Sequence, residues 1–173
     1  MVYLFIFLGA VLRVLPHLPN FTPIGAIALF GGVYLSRKQA FFLPLLAMIV
    51  SDYFIGFDSI MMRVVVYGSF AFSVGLGMLI KKRKSVWSIL GGSLAGSIIF
   101  YLTTNFAWFY GTSMYTHDFS GIISSYINAL PFFRNTLMGD LFYVGIFFGS
   151  YELIRKFVNS KSESRNSKHS LDV

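Results

Sequence analysis

The chain contains no cysteine, which removes disulfides and thiolate metal sites from consideration. It is also poor in charge. Only 12% of its 173 residues are Asp, Glu, Lys or Arg, about half of the roughly 25% usual in soluble domains. No P-loop, Gly-x-Ser-x-Gly elbow or His-Glu-x-x-His helix is present, so the common signatures of nucleotide hydrolysis, esterase and zinc-peptidase chemistry are missing. His17, His117 and His169 are too scattered to predict a metal site. The length leaves no room for a separate soluble catalytic domain beside a membrane bundle. Neither a cofactor nor an enzymatic activity is expected, and active transport by such a chain must draw on a gradient or a partner ATPase.

What is present is apolar. Hydrophobic residues make up 55% of the chain and aromatics 18%, with a mean hydropathy of +0.68. That composition suits an integral membrane protein with aromatic interfacial belts. The net charge of +7 comes from basic residues clustered in short loops and the tail. This is the positive-inside pattern, and nucleic acid is not an expected partner.

Read along the chain, the sequence predicts an all-α, six-transmembrane-helix bundle over residues 1–158 and a disordered cytoplasmic tail over 159–173. The first helix runs from about Met1 to Leu15. It lacks the basic leader of a cleaved signal peptide and is short for a span, as a truncated or misplaced start would make it. Pro16, Pro19 and Pro23 break it, because proline lacks the N–H and clashes with the preceding turn. The next helices are expected at Thr22–Leu35, Ala40–Phe57, Arg63–Ile80, Val86–Trp108 and Phe133–Ile154, the last opened by Pro131. Between Gly111 and Pro131 lies the longest connection. Its apolar stretch, Gly121–Leu130, is too short to span and is expected to form a half-helix or a lid. Trp87 and Trp108 are about 30 Å apart along a helix, the hydrocarbon thickness, and suit the two interfaces.

Eleven of the fourteen Lys and Arg residues fall in the 36–40 and 81–85 loops and the tail. Arg13, Arg63 and Arg134 fall on the opposite side. The rich side is read as cytoplasmic, which with six spans puts both termini inside. Small residues recur four apart at Ala28 and Gly32, Gly92 and Gly96, and Gly145 and Gly149. Such pairs serve packing within the bundle or docking to a partner, a second copy of the chain included.

Against this background the polar residues stand out. Ionisable groups within membrane segments cost roughly 2.5–3.5 kcal/mol each on insertion scales and usually mark a site or pathway. The first constellation holds Arg13, His17 and Asn20 in a proline-rich connection. Arg13 offers a planar fork for a carboxylate or phosphate, and equally for an ion pair. The second is Ser51-Asp52. A carboxylate at that depth needs a partner, for which Arg13 and Arg134 are the candidates. The third is Thr103-Thr104-Asn105-Phe106-Ala107-Trp108. Its amide and indole suit an aromatic or amide-bearing ligand, or an interhelical bond plus a belt tryptophan. The fourth runs from Pro131 through Arg134, Asn135 and Thr136 to Asp140. Arg134 and Asp140 are six residues apart and cannot pair with each other, so each seeks a partner on another helix, such as Arg13 for Asp140.

Pro19-Asn-Phe-Thr-Pro23, Ser51-Asp52, Thr104-Asn105-Phe106 and Phe132-Phe-Arg-Asn-Thr-Leu-Met-Gly-Asp140 together resemble a family of small bacterial membrane proteins described as transport proteins of unknown function. That family in turn resembles the substrate-binding S components of energy-coupling-factor (ECF) vitamin transporters. The resemblance implies a six-helix bundle in the bacterial cytoplasmic (inner) membrane. It also implies an outward-facing pocket covered by the connections between helices one–two, three–four and five–six, and docking on an ECF-type coupling module. The Ala-x-x-x-Ala docking motif of S components is not matched, since the first helix offers only Gly9 and Ala10.

The reading that follows is a membrane transport protein holding a small polar or vitamin-like solute through Arg13, His17, Asn20, Asp52, Asn105, Trp108, Arg134, Asn135 and Asp140. Two alternatives are a non-catalytic assembly subunit, with the polar residues as interhelical clamps, and a membrane-embedded hydrolase using Asp52 and Asp140 as an acid/base pair.

Overall fold

The computed structural model describes residues 1–169, with side-chain surroundings for residues 1–161. It is all-helical: α1 (Val2–Val14), α2 (Ile24–Tyr34), α3 (Arg37–Ile55), α4 (Ile60–Ile80), α5 (Val86–Gly111) and α6 (Phe119–His169), with one 3-10 turn at Lys81–Arg83. Local chemistry sets several boundaries. Ser59 accepts the Met62 N–H at the start of α4, and Ser85 and Ser88 form a reciprocal capping box at the start of α5. At the end of α2 the Lys81 ammonium donates to the Leu35 carbonyl at 2.8 Å, where the helix dipole favours a cation.

Four helices, α3 to α6, are long and apolar enough to cross a membrane, whereas α1 and α2 have 13 and 11 residues. At 1.5 Å per residue α2 is about 16 Å long, roughly half a hydrocarbon core. Its shortness is compatible with its place: Ile24 and every residue from Ala26 to Val33 are buried, and it packs against all five other helices. Protein therefore surrounds α2 along its length, while the proline-rich connection before it is exposed from Leu15 to Asn20 and runs over the end of the bundle, where irregular backbone can meet water rather than lipid. The α2–α4 crossing is glycine on glycine. A Cβ on Gly32 or Gly77 would sit 2.9 Å from the other's Cα. A seam of rings closes α1, α2 and α6, with Phe30 at 5.5 Å from Phe5, 5.2 Å from Phe148 and 5.5 Å from Tyr151. The outside is as apolar as the inside: Trp87 is 82% exposed, and Tyr53, Ile60, Val86, Phe119 and Phe157 are nearly as open. An exterior of that extent matches a hydrocarbon surrounding.

Boundaries of the first five helices fall within three residues of the sequence expectation. The sixth does not. It begins at Phe119, so the expected half-helix and the expected sixth helix are one element and Pro131 lies inside it. Proline removes one intrahelical bond, here to the Ile127 carbonyl, but does not by itself end a helix that its neighbours support. Arg134 is therefore mid-helix rather than in a first turn. At the far end the expected tail from residue 159 is helical as far as His169, and residues 170–173 lie outside the described part. No Gly or Pro follows Gly149, and extending an existing helix costs far less than nucleating one.

Candidate functional site

Three connections meet at one end of the bundle: 15–23, 56–59 and 112–118. Below them the nine residues singled out in the sequence divide into separate groups.

Arg13 and Asp52 pair with each other. The Arg13 Nη1 lies 2.5 Å from Asp52 Oδ1, with the side chains 15% and 9% exposed. The same nitrogen donates to the Ser51 hydroxyl and to the Met48 carbonyl at 3.2 Å. Tyr67 donates to Asp52 Oδ2 at 2.5 Å. Both carboxylate oxygens are thus engaged, and α1, α3 and α4 are tied by one charge-neutral knot. Breaking a buried pair of this kind typically costs about 3–5 kcal/mol, because the remaining charge has no partner. His17 makes only local bonds, to the carbonyls of Leu18 and Arg13. Asn135 donates to the Pro19 carbonyl at 3.0 Å and so fastens the proline-rich connection to α6. Arg134 is exposed, and no hydrogen bond or ion pair engages it among the described residues.

A cavity of about 400 Å³ opens between α4, α5 and α6 at this same end. Asn20, Asp58, Met114 and Tyr115 reach it from the three connections. Six rings line it: Phe100, Tyr101, Trp108, Tyr115, Phe132 and Phe133. Three amides (Asn20, Asn105 and Asn128) and the hydroxyls of Thr104 and Thr136 complete the polar lining. Among the described residues neither the Asn20 nor the Asn128 side chain has a hydrogen-bond partner, and Asn105 uses only its Nδ2, on the Tyr101 carbonyl at 2.7 Å. Asn20 holds a left-handed backbone (φ 62°), a conformation asparagine tolerates better than most residues. Among the described residues no Lys, Arg or His lines the cavity, and Asp58 is its one charged residue.

Asp140 lies deeper. A void of about 30 Å³ beside Thr22 shares Asn20, Phe100 and Thr136 with the cavity, a second of about 10 Å³ lies beside Ser73 and Ser93, and Asp140 lines both. It is 7% exposed and accepts one side-chain bond, from Ser97 at 2.6 Å. It packs against Gly25 in the first turn of α2, where a Cβ would collide with the carboxylate. A helix N-terminus contributes about 0.3–1 kcal/mol to a nearby anion, up to ~2 when partly buried. Burying an ion costs several kcal/mol. The dipole and one hydroxyl do not balance that.

The expected ring of nine contacts is therefore resolved into a lock (Arg13, Asp52), a loop fastening (Asn135, with His17 near it), a cavity lining (Asn20, Asn105, Trp108), a deep carboxylate (Asp140) and an outer arginine (Arg134). Arg13 is not the partner of Asp140. Asp52 and Asp140 share no cavity. Of the residues missed as site members, Thr104, Asn128, Phe132 and Thr136 carried a signal nonetheless. Polar and aromatic positions recur three or four apart along α5 (Ser93, Ser97, Tyr101, Thr104, Trp108) and α6 (Asn128, Phe132, Thr136, Asp140), which puts each set on one helix face. Asn128 lies in the stretch expected to form a half-helix or a lid, apart from the sixth helix whose face it shares.

No curated protein and no solved structure matches the chain. A family model does, over residues 1–163. The chain belongs to that family, DUF6580, a family of unknown function.

Proposed function

We propose that this protein is a membrane transport protein that binds a small, flat, ring-bearing solute, neutral or singly cationic, in the cavity between α4, α5 and α6. The observation that carries this reading is the lining itself: six rings, with two amide side chains, Asn20 and Asn128, that have no hydrogen-bond partner among the described residues. Rings offer faces for stacking, and unpaired amides read the polar edge of a heterocycle. With Asp58 as the one charge at the cavity, an anion is disfavoured, which moves the expected solute away from carboxylates and phosphates.

In this reading the basic end faces the cytoplasm and the cavity opens on the other side, with both termini inside if α1 and α2 complete six crossings. The resemblance to ECF S components supports that orientation and makes an ATPase-driven coupling module the partner to look for. Asn20, Asn105 and Trp108 hold the solute, while Arg13 and Asp52 keep the cavity wall in place.

The test is native mass spectrometry of protein gently extracted from its own membrane. A bound small molecule is expected in the wild type and in Arg134→Ala, and it is lost in Asn105→Ala and Trp108→Ala. An empty wild type whose Trp108 fluorescence ignores a panel of nitrogen heterocycles overturns the reading.

One observation favours the assembly subunit as the second reading. A Cβ added at Gly145 or Gly149 would meet nothing within 4 Å, and both border an apolar groove of about 450 Å³ between α5 and α6 at the basic end. A stable membrane partner, lost in Gly145→Leu, would be its signature.

A further inference from the structure

Asp140 is a buried acid with no cation beside it. Among the described residues no Lys, Arg or His nitrogen lies within 4.0 Å of its carboxylate. The described residues packed against it from other elements are all uncharged. From α2 it meets Gly25, and from α4 the void brings Phe70 and Ser73. From α5 come Ser93 and Ser97, and from the 15–23 connection Asn20 and Thr22.

Ser93 supplies a second, independent observation. Its residue is 5% exposed, its Oγ is fully buried, and that atom has no hydrogen-bond partner. It borders the same void of about 10 Å³ as Asp140 and Ser73. That is about the space of one water-sized sphere. Buried polar atoms are almost always satisfied, so an unpartnered hydroxyl that lines one void with a carboxylate points to a ligand held between them. Hard oxygen donors carrying a single negative charge fit a monovalent cation, and no cluster of three or more His, Cys, Asp or Glu exists among the described residues to hold a divalent one.

We infer that Asp140, Ser93, Ser97 and Ser73 form a monovalent-cation site, occupied by Na⁺ or by a proton on Asp140, beneath the floor of the cavity. Intramembrane carboxylates in this setting mark ion pathways and proton relays. The void of about 30 Å³ that joins Asp140 to Asn20 and Thr136 gives a cation bound there a route to influence the cavity above.

The site is tested on the purified full chain with cations alone, so its outcome is independent of any solute. Melting is followed in NaCl against choline chloride at constant ionic strength. In parallel, infrared difference spectra between pH 5 and pH 9 follow a protonated carboxyl band. Occupancy by Na⁺ predicts a melting temperature that rises with Na⁺ in the wild type, with the rise lost in Asp140→Asn and reduced in Ser93→Ala. Occupancy by a proton predicts a carboxyl band that disappears on raising the pH, is absent in Asp140→Asn and shifts in frequency in Ser97→Ala. If Asp140→Asn does not fold, the Ser93 and Ser97 variants carry the same distinction. A wild type with neither a Na⁺ response nor a titrating carboxyl band overturns the inference.

Discussion

Arg13 and Asp52 neutralise each other, and Tyr67 takes up the second carboxylate oxygen. The pair is buried, so removing one member exposes the other to an uncompensated environment. Arg13→Met or Asp52→Asn is expected to lower stability by about 3–5 kcal/mol, and Arg13→Met combined with Asp52→Leu by clearly less than the sum of the single effects. Thermal unfolding in detergent reads this directly; additive losses would show that the two side chains are not coupled. Asp118, outside the spans, behaves differently. The Gly121 N–H first, and the Thr116 hydroxyl second, hold its carboxyl below the usual carboxylate range. A depressed acid contributes stability above its unfolded value and loses it as the pH falls through the folded value. Protection of the first-turn amides of α6 against hydrogen exchange is therefore expected to drop on acidification in the wild type. In Asp118→Ala it is expected to be low throughout.

At the scale of elements, α2 and α4 touch through backbone at Gly32 and Gly77. Any larger residue there must separate the helices, and overpacking of this sort costs typically 1–3 kcal/mol or more. Gly77→Leu is expected to reduce membrane abundance and melting temperature. Gly145→Leu, which meets open space, should leave the isolated protein unchanged. Equal losses in both would mean that the α5–α6 groove is filled in the folded chain. The tryptophans make a second contrast. Trp87 is 82% exposed at the basic end, whereas Trp108 lines the cavity. A Trp87→Phe protein leaves Trp108 as sole reporter, and its emission should change with a cavity ligand and not with the detergent. The reverse pattern would place Trp108 in the lipid interface.

For the whole molecule, the absence of cysteine makes topology accessible to single labels. Met114→Cys lies at the cavity end and Lys82→Cys at the basic end, and both positions are exposed. In intact cells a membrane-impermeant maleimide is expected to label Met114→Cys at once and Lys82→Cys only after permeabilisation. Labelling of Lys82→Cys alone would invert the orientation argued from charge.

Composition and pattern determined much of this by themselves. Scarce charge, apolar runs and clustered Lys and Arg define an all-helical chain with membrane-length segments, because hydrocarbon tolerates little else. Proline and serine stand at several helix starts, because capping and missing N–H groups act within a few residues. The sequence also put Arg13, Asp52 and Asp140 forward as groups that need partners. Which partner each found was a matter of tertiary structure. Arg13 reached Asp52 across 39 residues of sequence, and Asp140 came to rest against Gly25 and Ser97, because those contacts depend on where α2 threads the bundle. Pro131 stayed inside a helix for the same reason: neighbouring helices, not the local chain, decide whether a lost backbone bond ends an element. The cavity, too, exists only once faces of α4, α5 and α6 are brought together, since no single segment contains it.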